Sequence, residues 1–188
     1  MEKNRMVIGI SGASGTPIAA RLLKRVSEEE RWETHLVISR GGEMTIQMES
    51  TEALEEMKAL ADDVYDNDNV GAAIASGTFR TCGMVVVPCS MKTVAGIASG
   101  FSDNLLLRAA DVTLKENRPL VLVAREMPLN QIHLKNLSVL AQMGVVIMPP
   151  MLTFYNKPNS VDDMINHVVG KILDRFSISD KNFCRWGE

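Results

Sequence analysis

The run Gly9-Ile10-Ser11-Gly12-Ala13-Ser14-Gly15, set directly after Met6-Val7-Ile8, constrains the chain more than any other stretch. An apolar segment breaks into small residues and restarts as Pro17-Ile18-Ala19-Ala20-Arg21-Leu22-Leu23. That pattern reads as strand, tight loop, helix. Glycine lets the backbone turn sharply and approach a ligand closely, and loop N–H groups at a helix N-terminus favour an anion, usually a phosphate. A phosphate-bearing cofactor or substrate is therefore expected at this first loop.

The strand–helix alternation continues. Thr34–Ser39 reads as a second strand, and Gly42–Met48 and Thr51–Ala61 as helices, with Thr51 as a cap. Asp62–Asn69 is polar and turn-rich, and reads as a surface connection. Gly83–Pro88 and Leu120–Ala124 are continuously apolar, as strands buried on both faces are. Helices are expected over Lys92–Ala98, over Asp103–Glu116 with Ser102 or Asp103 as cap, and over Ile132–Met143. Val145–Met148 reads as a strand, and Ser160–Phe176 as a closing helix with Asp162 and Asp163 in its first turn. Repeated strand–helix units predict an α/β fold: a three-layer, doubly wound parallel sheet of the Rossmann/flavodoxin-like kind. At 188 residues the chain is expected to be one domain, 1–188.

Composition narrows the partners. A net charge of −3 with scattered Lys and Arg argues against nucleic acid and against an anionic membrane surface. No apolar run reaches the roughly 20 residues a membrane-spanning helix needs. Cys82, Cys89 and Cys184 form no even framework, and Met1–Arg5 leads straight into a strand, so a cytoplasmic location with reduced thiols is expected. His35, His133 and His167 lack ligand spacing, so no metal site is expected.

In such sheets ligands bind beyond the carboxyl ends of the strands. The first loop is G-x-x-G-x-x-G, and Ser14 adds a hydroxyl. After the second strand comes Ser39-Arg40, where a dinucleotide site usually has an acid for the ribose. A hydroxyl there suits a mononucleotide such as FMN, or else caps the next helix. In Pro88-Cys89-Ser90-Met91-Lys92-Thr93, Ser90 and Thr93 suit a flavin edge or a helix cap; Cys89 invites a nucleophile reading, but no His or Asp pairs with it in the sequence, which favours an inert buried thiol. Arg125-Glu126 sets two opposite charges at a strand end, as a surface ion pair or as a phosphate binder beside a proton carrier. Pro149–Pro158 is stiff, aromatic and apolar, and reads as the wall of a pocket for a hydrophobic substrate, with Tyr155 offering a hydroxyl, or as a Pro-rich crossover packed on the core.

The segments GISGASG (9–15), ETHLVISR (33–40), VVPCSMKT (86–93), RAADVTLKENRPLVL (108–122), REMPL (125–129), MPPM…FYNKP (148–158), SVDDMINHVVGKILD (160–174) and RWGE (185–188) together resemble the UbiX/Pad family of flavin prenyltransferases along nearly the whole chain. REMPL and PPM…FYN resemble members associated with phenolic (hydroxyarylic) acid decarboxylases most closely. The resemblance implies that reduced FMN accepts a dimethylallyl group from dimethylallyl monophosphate at N5 and C6, without a metal. The product, prenylated FMN, serves a UbiD-type decarboxylase. It implies Gly12, Ala13, Ser14, Ser39, Ser90, Met91, Lys92, Thr93 and Arg125 at the FMN. Tyr155 and Lys171 are implied at the prenyl phosphate, joined by Arg108 and Lys115 from a neighbouring subunit of a homo-oligomer, commonly a dodecamer. Glu126 is implied as acid/base, and Ser14 as the hydroxyl near the leaving phosphate. Trp186 and the segment from about 160 onward are implied to complete the site. Two other readings stay open: an FMN-dependent cysteine-type decarboxylase, and a non-catalytic flavin-carrying subunit of a phenolic acid decarboxylase.

Overall fold

The computed structural model describes residues 3–49, 54–183 and 185–187. Six strands form one sheet in the order β3-β2-β1-β4-β5-β6. They are β1 (Asn4–Ile10), β2 (Trp32–Ile38), β3 (Asp63–Tyr65), β4 (Gly83–Cys89), β5 (Leu120–Ala124) and β6 (Val146–Ile147). Every pairing is parallel. The helices are α1 (Thr16–Ser27), α2 (Arg40–Glu49), α3 (Leu54–Ala59), α4 (Met91–Ser99), α5 (Leu105–Lys115), α6 (Gln131–Gln142) and α7 (Val161–Asp174). This is the doubly wound α/β architecture expected, with the Rossmann strand order.

Side-chain alternation along each strand divides the interior into two cores. Met6, Ile8, Val85, Val87, Val121 and Val123 face α1, α2, α3 and α7. Val7, Met84, Val86, Leu120 and Leu122 face α4, α5 and α6. β4 and β5 are buried along their full length, which explains their unbroken apolar runs. Each fully buried Val, Leu or Ile side chain contributes about 1.5–3 kcal/mol relative to exposure.

The helix ends follow local chemistry. Pro17 sits in the first turn of α1, where a missing N–H costs nothing. The Ser160 side chain accepts from Asp163 N, and the Asp163 carboxylate accepts from Ser160 N and Asn159 N, closing a capping box on α7. α6 has the same arrangement, with Asn130 as cap and His133 as its partner. His133 is thus committed to a helix end.

Two expectations need correction. The polar stretch 62–69 contains a strand, β3, which pairs with β2 from His35↔Asp63 to Val37↔Tyr65. A short edge strand is held by main-chain bonds to one neighbour, so it needs no apolar run. The cap of α5 is Asn104, whose side chain accepts from Leu107 N, and neither Ser102 nor Asp103. The Thr51 cap and Cys184 lie outside the described residues. No described helix is long and apolar enough to cross a membrane.

Candidate active site

β1 and β4 are neighbours, yet α1 leaves for one face of the sheet and α4 for the other. The crevice beyond their carboxyl ends is where this fold binds ligands. Buried Ser11 ties the two loops together: its N and Oγ each donate to Pro88 O at 3.1 Å, and its Oγ accepts from Ser90 N at 2.8 Å. A cleft of about 260 Å³ opens here, lined by Gly12, Ser39, Gly41, Ser90, Lys92 and Thr93, with Asn67 and Asn104 at its far side. Gly12 and Gly41 are mutually close: a Cβ built on Gly12 would stand 3.1 Å from the Gly41 backbone. The two glycines therefore let the loops after β1 and β2 touch backbone to backbone where they line the cleft.

Ser39 and Ser90 both cap and line. Ser39 Oγ accepts from Gly42 N at 3.1 Å, at the start of α2. Ser90 Oγ accepts from Thr93 N at 3.3 Å and lies 3.1 Å from Thr93 Oγ1, at the start of α4. The two readings left open for these hydroxyls are compatible, because one oxygen can satisfy a helix end and still face the cleft. Two helix N-termini thus point their partial positive charge into one space, with the Lys92 side chain beside it. Met91 is buried in the core behind the cleft.

The first helix behaves differently from expectation. α1 has no side-chain cap and no acidic residue in its first turn. The carboxylate of Glu49, at the far end of α2, fills that place. It accepts from Gly15 N at 2.8 Å, Thr16 N at 3.3 Å and Thr16 Oγ1 at 3.3 Å, and the Ser14 hydroxyl also bonds to it. The anion at the α1 N-terminus is therefore an internal carboxylate, and these amides are committed. Burial works to raise the Glu49 pKa, but the hydrogen bonds from Ser14, Gly15 and Thr16 outweigh it and hold the group below its ordinary 4.5. A depressed folded-state pKa contributes stability that is present above the unfolded value and lost as pH falls through the folded one. Glu49→Gln is expected to lower stability by about 0.5–1 kcal/mol at pH 7. The gap from wild type should close as denaturation is followed below pH 4.5; a gap that does not change with pH would refute the charged role.

A second cluster forms where α7 meets the loop after β6 and the C-terminal segment. Tyr155 Oη lies 3.4 Å from His167 Nε2, and the two rings meet edge-on at 5.5 Å. The Trp186 ring stands 5.1 Å from Tyr155. Lys171, one turn beyond His167, holds its ammonium 5.9 Å from the centre of the Phe183 ring, and the Arg185 guanidinium lies 5.2 Å from it. Arg185 also bonds to Asp174. Burial first, and the Lys171 charge second, push the His167 pKa below its ordinary value. α7 is pinned to α1 by Arg21, which bonds to Asn166 and, at 2.9 Å, to Asp162.

Gly170 lets Phe183 lie on α7, since a Cβ there would fall 2.5 Å from the phenyl ring. Gly170→Ala is expected to lift the tail and raise trypsin cleavage at Lys181 and Arg185 roughly severalfold. The gain of about 1 kcal/mol in helix propensity should meanwhile leave α7 intact. Unchanged cleavage would show that the tail does not depend on this contact.

Not every expected residue converges. Arg125 and Glu126 are exposed, and among the described residues no ion pair joins them. Arg125 N donates to Cys89 O at 3.0 Å, and Glu126 Oε1 accepts from Met127 N at 3.1 Å. Arg108 and Lys115 lie on α5, in the layer opposite the one that carries Lys171. Arg108 bonds to Asp111 at 2.7 Å and to Ala75 O at 3.3 Å, and Lys115 bonds to Glu116. Cys89 is fully buried, which pushes its thiol far above the ordinary range. No metal-holding group of His, Cys, Asp or Glu occurs among the described residues.

Several site residues had no separate signal in the sequence. Ser11 lies inside the glycine run but reads there as filler. Asn67 lies beyond β3; its Oδ1 accepts from Leu106 N at 3.1 Å and its backbone O from Leu105 N at 2.8 Å, tying α5 to the cleft. Glu49 is 34 residues from Gly15, and nothing in the order of residues pairs them.

A family model described as Flavoprotein matches residues 1–175. A probable UbiX-like flavin prenyltransferase of Sedimentibacter hydroxybenzoicus is 50% identical over 97% of this chain and 96% of its own length. Among solved structures, a dodecameric FMN-dependent UbiX-like decarboxylase from Escherichia coli O157:H7 superposes with a TM-score of 0.96 at 47% identity, covering 98% of this chain and all of the other. AnUbiX (PadA1), in complex with FMN and dimethylallyl pyrophosphate, also gives 0.96, at 44% identity over 100% of this chain and 99% of its own. The peptidyl-cysteine decarboxylase EpiD gives 0.63 at 18% identity, over 80% of this chain and 83% of its own, and shares the fold alone. With its parallel sheet, its glycine-floored crevice and half its residues shared end to end with such relatives, this chain belongs to the UbiX-like flavin prenyltransferase family.

Proposed function

We propose that the protein joins the five-carbon unit of dimethylallyl monophosphate to reduced FMN, releasing inorganic phosphate and yielding prenylated FMN for a UbiD-type decarboxylase. The observation that carries this reading is the crevice beyond β1 and β4, where two hydroxyl-capped helix N-termini meet over the Gly12–Gly41 floor. The residues present fit FMN: the Ser39 and Ser90 hydroxyls at two helix starts and the Lys92 side chain line the cleft, and no acid stands directly after β2 to hold a dinucleotide ribose. When bound, reduced FMN supplies N5 and C6 as electron-rich acceptors.

The chain's own groups then have distinct tasks. Gly12, Ala13 and Ser14 border the flavin, Ser39 and Lys92 hold its polar end, Ser90, Thr93 and Arg125 hold the ring, and Met91 backs the cleft from the core. Tyr155 and Lys171 bind the phosphate of the prenyl donor, joined by Arg108 and Lys115 from an adjacent protomer. As the allylic C–O bond breaks, its electron pair leaves with the phosphate, and preorganised cations stabilise that charge. Glu126 accepts the proton displaced as N5 is alkylated. Ser14 lies near the departing group, and its one hydroxyl hydrogen, held by Glu49 in this structure, turns from that carboxylate to reach it. The segment from about 160, with Trp186 over Tyr155, completes the site within a single domain spanning 1–188. The placement of Arg108 and Lys115 on the face away from Lys171 supports a site shared between subunits of a homo-oligomer, for which we propose a dodecamer. The unpaired Cys82 and Cys89 support a cytoplasmic location.

Incubation with anaerobically reduced FMN and dimethylallyl monophosphate, followed by mass spectrometry, tests the reaction. The expected product is FMN plus one C5 unit. Return of unaltered FMN would fit a flavin carrier, and CO₂ release from a cysteine-terminated peptide would fit the rival decarboxylase. Neither rival draws support from a specific contact here.

A further inference from the structure

His167 is 5% exposed, and among the described residues only the Nε2 of its ring has a partner, the Tyr155 hydroxyl at 3.4 Å. Nδ1 is enclosed and, among the described residues, lies within reach of no donor or acceptor. The ring is held by packing instead: edge-on against Tyr155 at 5.5 Å and tilted against Phe183 at 5.3 Å. We infer that His167 is a positioning residue for Tyr155, donating its Nε2–H to the phenol oxygen so that the phenol's own hydrogen is left free for the phosphate of the prenyl donor. The inference rests on the reading above that Tyr155 meets that phosphate.

The argument turns on where the single N–H of a neutral imidazole sits. Burial and the neighbouring Lys171 charge both disfavour the doubly protonated ring, so the imidazole is neutral near pH 7. One arrangement places the hydrogen on Nδ1, leaving a buried N–H without an acceptor. The other places it on Nε2, leaving only a bare lone pair on Nδ1. Orphaned buried N–H groups are the rarer of the two defects in folded proteins. With the hydrogen on Nε2, the Tyr155 oxygen must act as acceptor. Tyr155 is 45% exposed, so its O–H is free to turn outward. A hydroxyl that accepts one hydrogen bond is polarised and donates a better second one. In the opposite tautomer the phenol would spend its only hydrogen on His167 and could offer the phosphate nothing but lone pairs, which an anion repels.

Nitrogen-15 spectra of full-length wild type with labelled histidine test the hydrogen bond directly, with the His167 signals assigned by their loss in His167→Gln. An Nε2-protonated, Nδ1-bare pattern is expected, and the reverse pattern overturns the inference. Kinetics test its consequence. His167→Leu is expected to raise KM for dimethylallyl monophosphate by about tenfold, the scale of one hydrogen bond, with kcat and FMN affinity little changed. His167→Gln, whose amide can donate to the same oxygen, should return KM to within about twofold of wild type. In a Tyr155→Phe background, His167→Leu should cost nothing further. An unchanged KM in His167→Leu, or equal damage from Leu and Gln at equal Tm, overturns the inference. Were wild type itself to form no prenylated flavin, the proposed reaction would fall, while the nitrogen pattern would still support or overturn the assigned hydrogen bond.

Discussion

Glu126→Gln protomers are expected to retain FMN while forming prenylated FMN about 10²–10⁴-fold more slowly, the usual worth of a positioned proton carrier. The substitution is nearly isosteric. Glu126 is exposed, and its one polar contact among the described residues is with the backbone N of Met127, so nothing described in the fold leans on its charge. Binding and chemistry should therefore separate cleanly. Bound flavin is read from the absorbance of the purified protein, and chemistry from single-turnover mass spectrometry with reduced FMN. Normal flavin content with a collapsed rate supports the role. A wild-type single-turnover rate would remove Glu126 from the mechanism, and loss of FMN would instead make it a binding residue.

The second large effect concerns the cations. Lys171→Met and Arg108→Met should each slow turnover by about 10²–10³-fold, because on the proposed reading each removes a preorganised charge from the departing phosphate. The two residues occupy opposite layers of one protomer. If they serve one site, that site spans two protomers. Mixing the two inactive variants through unfolding and reassembly should then restore activity. Random assembly places a wild-type Lys171 opposite a wild-type Arg108 in about one quarter of sites, and activity should recover to that level. No recovery, with the oligomer intact by light scattering, would show that each protomer's site is self-contained. Arg108 would then serve its Asp111 ion pair and its Ala75 O hydrogen bond, and a pair so open to solvent carries little energetic weight.

Much of the fold could be read along the chain because local physics repeats itself in a doubly wound sheet. β5 matches the expected Leu120–Ala124 run end for end, since a strand buried on both faces must be apolar at every position. The Ser160 cap was equally legible, because a cap and its partner lie three residues apart. β3 was not, because Asp63–Tyr65 forms only when β2 offers it a free edge. Asn104 displaced Asp103 as cap of α5 by a single residue, a choice made when Asn67 fixed where that helix begins. The site divides in the same way. The hydroxyls of Ser39 and Ser90 announce themselves by standing after strands. Glu49 and Ser11 work across 34 and 79 residues of chain, to Gly15 and Ser90.

By itself the order of residues determined the parallel sheet, the crevice loops and the family, because hydrophobic period and turn chemistry act between near neighbours. Tertiary structure alone decided which groups own the helix ends: a carboxylate from the end of α2 took the first helix's amides, leaving α2 and α4 to face the cleft. It likewise set His167 beneath Tyr155 and put Arg108 on the far side of the sheet. Such contacts join distant segments, and only chain closure in three dimensions specifies which of many possible partners comes within hydrogen-bonding reach.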